Sequence, residues 1–375
     1  MKIGIITFHC AHNYGAVLQA YALQEQLKEL GHNVEIINYR PKSITEDYEK
    51  TIYFYRPYKN VLRKLLSYTK MILFSMIRNL VQPHKIKLRK QCRQKFYNFI
   101  NTKLNLSEIS YRKPFEEQLD YDCYIIGSDQ VWNIDLTNGI DPIYWGNFKV
   151  GKGAKIMTYA ASMSNYNLSN DKKRTIKLLL NNFSAIGVRE LELKNYLDEE
   201  FNVLSDVVVD PTLLVDENVL NKIASEPKIG ERYVLIYSLG LYEYEYRIAK
   251  AIADQLEIVI VTIWGDLKIV NFGDRCLPVS PEDFIGWFQK ADFVVTASFH
   301  GTAFSILNRK PFYAVKRGGD KDSRLSTLLD SLGIGDRLVD KDCNVVVQQI
   351  AYQTVHSKLN IIRKQSLYYL IKNLN

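Results

Sequence analysis

Residues 2–39 read KIGIIT-FHCAHNYG-AVLQAYALQEQLKEL-GHNVEIINY, and this stretch decides the fold class. Lys2–Thr7 is a short apolar run typical of a buried strand, and Ala16–Leu30 has the apolar spacing of an amphipathic helix. Gly31 is placed to take the C′ position that ends this helix. Asn33–Tyr39 predicts a second strand, so the chain begins as strand, helix and strand.

The same alternation of apolar strands and helices continues along the chain. Further strands are predicted at Asp122–Gly127, Lys155–Ser162, Ala185–Arg189, Val207–Asp210, Tyr233–Leu239, Ile258–Ile263, Phe293–Ser298 and Pro311–Lys316. Further helices are predicted at Tyr242–Asp254, Pro281–Lys290, Thr302–Asn308 and Arg324–Leu332. Short apolar strands between helices are typical of parallel sheets covered on both faces. Because 375 residues exceed what one core usually holds, the sequence predicts an α/β fold with two Rossmann-like domains facing one cleft.

Asp210-Pro211 breaks the pattern of strands and helices, and we place the domain junction there. The predicted N-terminal domain covers residues 1–212, and the predicted C-terminal domain covers residues 213–345. Residues 346–375 predict a helical segment that packs back toward the N-terminal domain.

Residues 57–103 interrupt the alternation and carry the positive charge of the chain. The net charge is +8, yet thirteen Lys and Arg and no Asp or Glu lie from Arg56 to Lys103, so the rest of the chain is net acidic. The pattern predicts a basic helical insertion, with two helices separated near Pro83. Two interpretations stay open: a solvated insertion packed on the first domain, or an amphipathic pair lying against an anionic membrane. No motif of a nucleic-acid-binding fold accompanies the charge, so we expect no nucleic-acid partner.

Composition and motifs exclude several classes of function. The five cysteines are scattered without a CxxC pair, which argues against a disulfide framework and against a structural zinc site. The stretch MKIGIITF lacks the apolar core and cleavage site of a signal peptide, so we expect a cytoplasmic protein. The motifs GxGxxG, GxxxxGKS/T, HExxH and GxSxG are absent, and we expect neither a metal nor a cofactor.

Polar and cationic residues recur where predicted strands end, which is where ligands bind in open α/β sheets. His300-Gly301-Thr302 follows one strand and precedes a helix, whose N-terminus offers unpaired N–H donors to a phosphate or carboxylate. Gly301 allows an anion to approach the backbone closely, and His300 can donate a proton near neutral pH. Thr302 is either an anion ligand or simply the cap of the helix.

Other strand ends supply further candidates. Arg189 can clamp a carboxylate, or it can pair with a neighbouring glutamate. Asp129 is a candidate base or acceptor of a sugar hydroxyl, with an Asx turn as the alternative. Lys316 and Arg317 are candidate anion ligands, and Arg324 lies near the same predicted strand end. The remaining candidates for the cleft are Asn13, Tyr14, Gly15, Ser128 and Ser162. Surface or capping roles are expected instead for His9, His12 and His32.

Five motifs in this order resemble those of the polysaccharide pyruvyl transferase family. They are NYGAVLQAYALQ at residues 13–24, GSDQVWN at 127–133, YAAS at 159–162, DPTLL at 210–214 and SFHG at 298–301. The resemblance implies a glycosyltransferase-B-like pair of Rossmann domains, with phosphoenolpyruvate as the donor. By position it implies that His300 is the general acid and that Arg189 binds the donor, with weaker transfers for Lys316 and Asp129.

The function that the resemblance implies is transfer of a pyruvyl group from phosphoenolpyruvate to a sugar as a cyclic ketal, with release of phosphate. The expected acceptor is a capsule or exopolysaccharide precursor, including one carried on a polyprenyl-diphosphate lipid. The basic insertion would then contact the anionic inner face of a membrane. Two alternatives stay open: a glycosyltransferase with a nucleotide-sugar donor, and a non-catalytic relative that binds a sugar or lipid.

Overall fold

Two parallel β-sheets form the framework of the protein in a computed structural model, which describes residues 1–49, 83–238, 243–264, 275–318 and 322–375. Within these ranges the first sheet consists of β1 (Lys2–Ile6), β2 (Asn33–Tyr39), β3 (Leu106–Tyr111), β4 (Cys123–Asp129), β5 (Lys155–Ala161), β6 (Ala185–Val188) and β7 (Asp206–Val207). The second sheet consists of β8 (Tyr233–Ser238), β9 (Val259–Trp264), β10 (Arg275–Leu277), β11 (Phe293–Thr296), β12 (Phe312–Val315) and β13 (Leu338–Val339).

Both sheets have the same doubly wound strand order. The first runs β3-β2-β1-β4-β5-β6-β7 and the second runs β10-β9-β8-β11-β12-β13. In the first sheet Ile3 of β1 pairs in parallel with Val34 of β2 and with Cys123 of β4. The order therefore reverses beside β1 and, in the second sheet, beside β8, where such folds bind ligands. The predicted α/β class with two Rossmann-like sheets is confirmed, while the boundaries at residues 212 and 345 stay a prediction.

Helices connect the strands and cover the sheets. In the described ranges they are α1 (Tyr14–Glu29), α2 (Lys42–Glu49), α3 (Pro83–Lys103), α4 (Asn170–Leu180), α5 (Leu191–Phe201), α6 (Pro211–Leu214), α7 (Glu217–Asn221), α8 (Glu243–Leu256), α9 (Pro281–Lys290), α10 (Phe299–Leu307), α11 (Ser323–Leu332) and α12 (Tyr352–Leu374). Short 3-10 helices lie at Pro142–Trp145 and Gly335–Arg337 in the same described ranges. The predicted helix before Pro83 lies outside the described residues.

The ends of helix α1 follow from its sequence. The Asn13 side chain accepts a hydrogen bond from the Ala16 N–H at 3.2 Å and caps the first turn. Gly31 has a φ of +87°, the left-handed conformation that suits glycine at the C′ position. The His32 N–H then donates to the Leu27 carbonyl at 3.2 Å and satisfies one of the free carbonyls at this end. The predicted termination at Gly31 is confirmed.

Two predicted helix boundaries are wrong. Helix α10 begins at Phe299 rather than at Thr302, because the Ser298 side chain caps it by accepting from the Gly301 N–H at 3.4 Å. The last helix, α12, begins at Tyr352, so residues 346–351, which were predicted to be helical, are not. Strand β3 was not predicted, because its sequence LSEISY is mostly polar and half-exposed rather than an apolar run.

Helix α12 connects the far end of the chain to the first sheet. The Ser366 hydroxyl accepts from the Val209 N–H at 2.9 Å, and the Tyr369 hydroxyl donates to the Thr158 carbonyl of β5 at 2.8 Å. Near its beginning the same helix contacts the second sheet's helix α10, where His356 Nε2 lies 2.9 Å from the Ile306 carbonyl oxygen. The helix therefore spans from one sheet to the other.

Candidate active site

Asp210 lies at the centre of the candidate site, in the connection between the two sheets. Its Oδ1 accepts from the Thr212 N–H at 3.0 Å and from the Thr212 hydroxyl at 2.7 Å, which caps helix α6. Its Oδ2 accepts from the Ser128 hydroxyl at 3.1 Å and from Arg189 Nη1 at 2.8 Å. The same oxygen lies 3.6 Å from His300 Nε2. We call Ser128, Arg189, Asp210, Thr212 and His300 the Asp210 cluster.

The groups around Asp210 keep its carboxyl ionised. Burial alone raises the pKa of a carboxyl group, because the charged form loses its hydration. His300, Arg189 and the Thr212 amide outweigh this effect and hold the pKa of Asp210 well below its usual range. Asp210 is therefore a fixed negative charge beside His300.

His300 stands between the first turns of two helices from different sheets. It lies in the first turn of α10, and its residue is 7% exposed. A β-carbon on Gly15, in the first turn of α1, would lie 2.0 Å from His300 Nδ1. Nε2 makes no hydrogen bond within the described residues, since Asp210 is beyond hydrogen-bond length. The buried imidazole is thus held in place by close packing against Gly15, while its Nε2 remains available for a hydrogen bond.

Arg189 brings a buried guanidinium to the same place from the end of β6. Its side chain is 2% exposed, and its Nη2 lies 3.6 Å from Asp129 Oδ1. Its guanidinium carbon lies 4.7 Å from the ring centre of Phe299, a cation–π contact. Nε and Nη2 of Arg189 make no hydrogen bond to the described residues. Buried N–H groups are rarely left unpaired, so these two donors mark a place suited to an anion.

Glu190 and Ser162 form a second buried group next to Arg189. Glu190 is fully buried, and its Oε1 accepts a hydrogen bond from the Ser162 hydroxyl. The same oxygen lies 3.9 Å from Arg324 Nε. Burial raises the pKa of Glu190 above its usual range, although Arg189 and Arg324 favour its charged form. Ser162, predicted as a cleft residue, therefore contacts Glu190.

Ser128 and Asp129 are the last two residues of strand β4, and their side chains contact Asp210 and Arg189, respectively. Asp129 has a φ of +71°, and its Oδ1 accepts from the Gln130 N–H at 2.9 Å. Its side chain is 16% exposed and faces Arg189, so it keeps some access to solvent. Ser128 is fully buried within the Asp210 cluster. The predicted candidates at this strand end are thus brought to the site.

Lys316 and Arg317, predicted as anion ligands, do not join the Asp210 cluster. Lys316 Nζ is an exposed group 3.3 Å from Asp340 Oδ1. The Arg317 N–H donates to Asp322 Oδ1 at 2.9 Å. Both residues follow β12, the fifth strand of the second sheet, rather than the position where the strand order reverses. This strand position explains why the two residues lie outside the Asp210 cluster.

Tyr14, predicted as a cleft residue, lies in the core instead. It is 1% exposed, and its hydroxyl donates to the Val279 carbonyl at 3.0 Å. Its ring stacks on Phe284 of helix α9 with centres 4.7 Å apart. Tyr14 therefore joins α1 of the first sheet to α9 of the second through packing. Asn13 caps α1, as described above.

Gly301 and Thr302 support the start of helix α10. A β-carbon on Gly301 would lie 2.2 Å from the hydroxyl of Thr296 in β11, so only glycine lets helix and strand approach this closely. The Thr302 hydroxyl donates to the Ser298 carbonyl at 3.1 Å. The predicted capping role falls to Ser298, and Thr302 braces the first turn.

His9 is a buried structural residue. Its Nδ1 lies 3.2 Å from the Thr7 carbonyl oxygen, and its Nε2 lies 3.3 Å from Asn38 Oδ1. Burial lowers the pKa of His9 to about 4, although both hydrogen-bond partners act to raise it. His9 is therefore neutral at physiological pH, and the expected surface role is wrong for it.

Sequence reasoning missed Asp210 and Glu190 as site residues, and it noted Arg324 near a strand end without assigning it a role. Asp210 was interpreted only as the domain junction, although DPTLL at residues 210–214 was one of the motifs that carry the resemblance. Its contacts reach residues 82 and 21 positions away, Ser128 and Arg189, and no local pattern predicts such pairs.

The described residues contain neither a metal-binding cluster nor a membrane-spanning helix. No group of three or more His, Cys, Asp or Glu there is arranged to hold a metal ion. Among the helices of the described ranges, none is long and apolar enough to cross a membrane.

Some solved structures share part of the chain path. A UDP-GlcNAc 2-epimerase from Neisseria meningitidis is 12% identical with a TM-score of 0.43, covering 98% of this chain and 93% of its own. A putative UDP-N-acetylglucosamine 2-epimerase from Listeria monocytogenes is 11% identical with a TM-score of 0.42, covering 98% and 89%. A heptosyltransferase from E. coli is 12% identical with a TM-score of 0.38, covering 97% and 99%.

A family model described as polysaccharide pyruvyl transferase matches residues 13–318. A comparison with curated proteins finds no match. The matched range contains every residue of the Asp210 cluster as well as Gly15 and Asp129. It spans most of the 375 residues. The chain therefore belongs to the polysaccharide pyruvyl transferase family, whose members are pyruvyltransferases.

Proposed function

We propose that the protein transfers the pyruvyl group of phosphoenolpyruvate to two hydroxyls of one sugar, forming a cyclic ketal and releasing phosphate. The observation that supports this most strongly is the meeting of His300 with the unpaired, buried N–H groups of Arg189. A proton-donating imidazole and an anion-binding guanidinium lie in one enclosed place. This combination suits phosphoenolpyruvate, which carries an alkene, a carboxylate and a phosphate.

In the proposed reaction His300 acts as the general acid. It delivers a proton to the methylene carbon of phosphoenolpyruvate, and the double-bond electrons form the new C–H bond. The neighbouring carbon becomes oxocarbenium-like and is attacked by a sugar hydroxyl. The Asp210 carboxylate, 3.6 Å from Nε2, attracts positive charge on the imidazole and orients it. A positioned acid of this kind typically contributes a rate factor of ~10²–10⁴.

The second half of the reaction removes phosphate. The carbon–oxygen bond to phosphate breaks, and a second hydroxyl of the same sugar attacks the same carbon to close the ring. The two sugar hydroxyls each lose a proton. One of these protons replaces the proton that His300 delivered, and the other leaves with phosphate. The guanidinium of Arg189 and the N–H groups at the start of α10 can stabilise the departing charge.

Asp129 is the proposed contact to the acceptor. Its carboxylate is 16% exposed, whereas Asp210 and Glu190 are fully buried. It stands at the end of β4, beside the reversal of strand order in the first sheet. We assign to it acceptance of a hydrogen bond or proton from the attacking hydroxyl.

The test of the proposed function is binding and turnover of phosphoenolpyruvate. Thermal unfolding is followed with phosphoenolpyruvate and with UDP-sugars, and phosphate release is followed with a panel of sugar acceptors. A ligand at ~100 times its dissociation constant adds about 2.7 kcal/mol to the free energy of unfolding. We expect stabilisation by phosphoenolpyruvate, and we expect His300→Ala to abolish phosphate release in a folded protein. His32→Ala, at the end of α1, is the matched control.

Three outcomes would contradict parts of this proposal. Turnover retained by His300→Ala would remove the general-acid assignment. Stabilisation by a UDP-sugar but not by phosphoenolpyruvate would favour the glycosyltransferase. Acceptor binding without phosphate release across the whole panel would favour the non-catalytic relative.

We extend the proposal to a capsule or exopolysaccharide acceptor carried on a polyprenyl-diphosphate lipid, reached from an anionic membrane. Helix α3, the described part of the basic insertion, contains no acidic residue. It exposes Lys87, Lys90 and Tyr97, a combination suited to an anionic interface. Each Lys near such a surface contributes about 1 kcal/mol. We expect the protein to sediment with anionic vesicles at low salt, and we expect a Lys87→Glu/Lys90→Glu variant to lose this binding. If the wild type does not bind the vesicles at low salt, the proposed membrane contact is wrong.

A further inference from the structure

A second arginine lies close to Arg189 in the candidate site. Arg324 is the second residue of helix α11, and its side chain is 15% exposed. It belongs to the second sheet's helices, whereas Arg189 follows β6 of the first sheet. It also lies beyond residues 13–318, the range that the family model matches. The match therefore says nothing about Arg324.

The partners of Arg324 hold its guanidinium toward the site. Its Nε lies 3.9 Å from Glu190 Oε1, which is too long for a hydrogen bond, and this Nε makes none to the described residues. With the Gln130 amide oxygen turned toward it, Arg324 Nη1 and Nη2 lie 2.8 and 3.2 Å from that oxygen. Gln130 thus fixes Nη1 and Nη2 of the guanidinium, while the N–H group at Nε has no hydrogen-bond partner among the described residues.

The two guanidinium groups are close enough to affect each other. Burial lowers the pKa of Arg324, and the positive charge of Arg189 lowers it further. Glu190 and Asp129 oppose this repulsion from the side of the first sheet. These carboxylates supply part of the negative charge that two like charges in an enclosed place require, and an anion at the unpaired N–H groups would add to it.

Unpaired N–H groups of both arginines and an unpaired ring nitrogen of His300 lie around Asp210 and Glu190. They are Nε and Nη2 of Arg189, Nε of Arg324 and Nε2 of His300. Arg189 is 4% exposed and His300 is 7% exposed, so these donors have little access to water. Planar guanidinium groups match the geometry of carboxylate and phosphate oxygens through parallel hydrogen bonds.

We propose that Arg324 is a second donor-binding residue, holding one anionic group of phosphoenolpyruvate while Arg189 holds the other. This inference rests on the proposed function, because it assigns the two charges of that donor to two residues. Lys316, another candidate anion ligand from the sequence, is exposed and paired with Asp340. Since Arg324 and Arg189 belong to different sheets, the bound donor joins the two halves of the site.

The experiment measures phosphoenolpyruvate binding by calorimetry for the wild type, Arg324→Gln, Arg324→Lys, Lys316→Gln and Arg174→Gln. Arg174 is a 77% exposed arginine on helix α4 and is the matched control. Loss of charge-assisted hydrogen bonds should weaken binding by Arg324→Gln ~10–100-fold. We expect partial recovery in Arg324→Lys, wild-type binding in Arg174→Gln and a smaller effect in Lys316→Gln. Circular dichroism establishes that each variant is folded.

Inorganic phosphate and pyruvate, titrated separately, give a second readout. Arg324→Gln should weaken one of the two fragments and leave the other as in the wild type, whereas a general structural defect would weaken both. Wild-type affinity for phosphoenolpyruvate and both fragments in Arg324→Gln would overturn this inference alone. No binding of phosphoenolpyruvate by the wild type would overturn the proposed function, and this inference with it.

Discussion

Gly15 and the imidazole of His300 are in direct contact: a β-carbon at Gly15 would lie 2.0 Å from His300 Nδ1. The glycine belongs to helix α1 of the first sheet, and the histidine belongs to helix α10 of the second. The absence of one methyl group therefore sets where the imidazole stands relative to Asp210. This contact explains why the second residue of α1 is a glycine.

Gly15→Ala should reduce turnover far more than it reduces stability. The new methyl group must displace His300 from its position near Asp210, and misplacing a reacting group by about 1 Å can cost ~10²-fold in rate. Overpacking typically costs about 1–3 kcal/mol of unfolding free energy. The measurement is the rate of phosphate release together with urea unfolding. Gly230→Ala is the control, because a β-carbon there meets nothing within 4 Å; equal activity of both variants would contradict the prediction.

Asp210→Asn should destabilise the protein and abolish activity. The substitution removes the carboxylate that is hydrogen-bonded to Arg189, and breaking a buried ion pair typically costs about 3–5 kcal/mol. The measurement is urea unfolding at neutral pH. Asp171→Asn, at a carboxyl that is 85% exposed, is the matched control. A loss below ~1 kcal/mol at Asp210 would show that the cluster does not depend on this charge.

The same carboxyl should make stability depend on acid. The pKa of Asp210 is lower in the folded protein than its ordinary value of 3.8, so the unfolded chain binds its proton first as pH falls. The stability that Asp210 contributes is complete above that ordinary value and is lost as pH decreases through the lower folded pKa. Unfolding free energy of the wild type, measured below about pH 4, should fall more steeply than that of Asp210→Asn.

His9 should weaken the fold at a higher pH than Asp210 does. Its pKa falls from 6.5 to about 4 on folding, so between these values the unfolded chain takes up a proton that the folded chain refuses. Stability is therefore complete above the unfolded value and decreases by about 3 kcal/mol as pH falls to the folded one. Urea unfolding at pH 7.5 and 4.5 should reveal this loss in the wild type and not in His9→Gln. An imidazole signal of His9 that titrates near 6.5 by nuclear magnetic resonance would contradict it.

Tyr14→Phe tests the placement of this residue in the core. The substitution keeps the ring that stacks on Phe284 and removes the hydroxyl that donates to the Val279 carbonyl. It should cost about 1 kcal/mol of unfolding free energy and leave the Michaelis constant for the acceptor unchanged. A raised constant for the acceptor alone would place Tyr14 in the cleft after all.

The sequence allowed prediction of the sheets because buried parallel strands form uninterrupted apolar runs. Asn33–Tyr39 has the predicted bounds, and so has the helix Pro281–Lys290, whose Ser280 and Asp283 form a capping box. Strand β3 escaped because an edge strand need not be apolar. The start of α10 was placed three residues late, because Ser298 and Thr302 are both acceptable caps and only the backbone selects between them.

The site was predictable where chemistry follows a strand end, and not where it depends on long-range pairing. His300, Arg189 and Asp129 were found because polar residues at the ends of parallel strands share one edge. Asp210 was missed because Asp-Pro also marks a plain junction. Arg324 was missed as a ligand because its approach to Glu190, 3.9 Å, joins elements that no local pattern relates.

The return of helix α12 to the first sheet gives the two halves of the chain a second connection. The chain passes between them once at residues 210–214 and again along α12. The two crossings touch, since Arg363 Nε donates to the Leu213 carbonyl at 2.5 Å. Asp210 stands at the first crossing, paired with Arg189 of the first sheet and 3.6 Å from His300 Nε2 of the second. The segment that joins the two halves of the chain therefore also supplies the central carboxylate of the site.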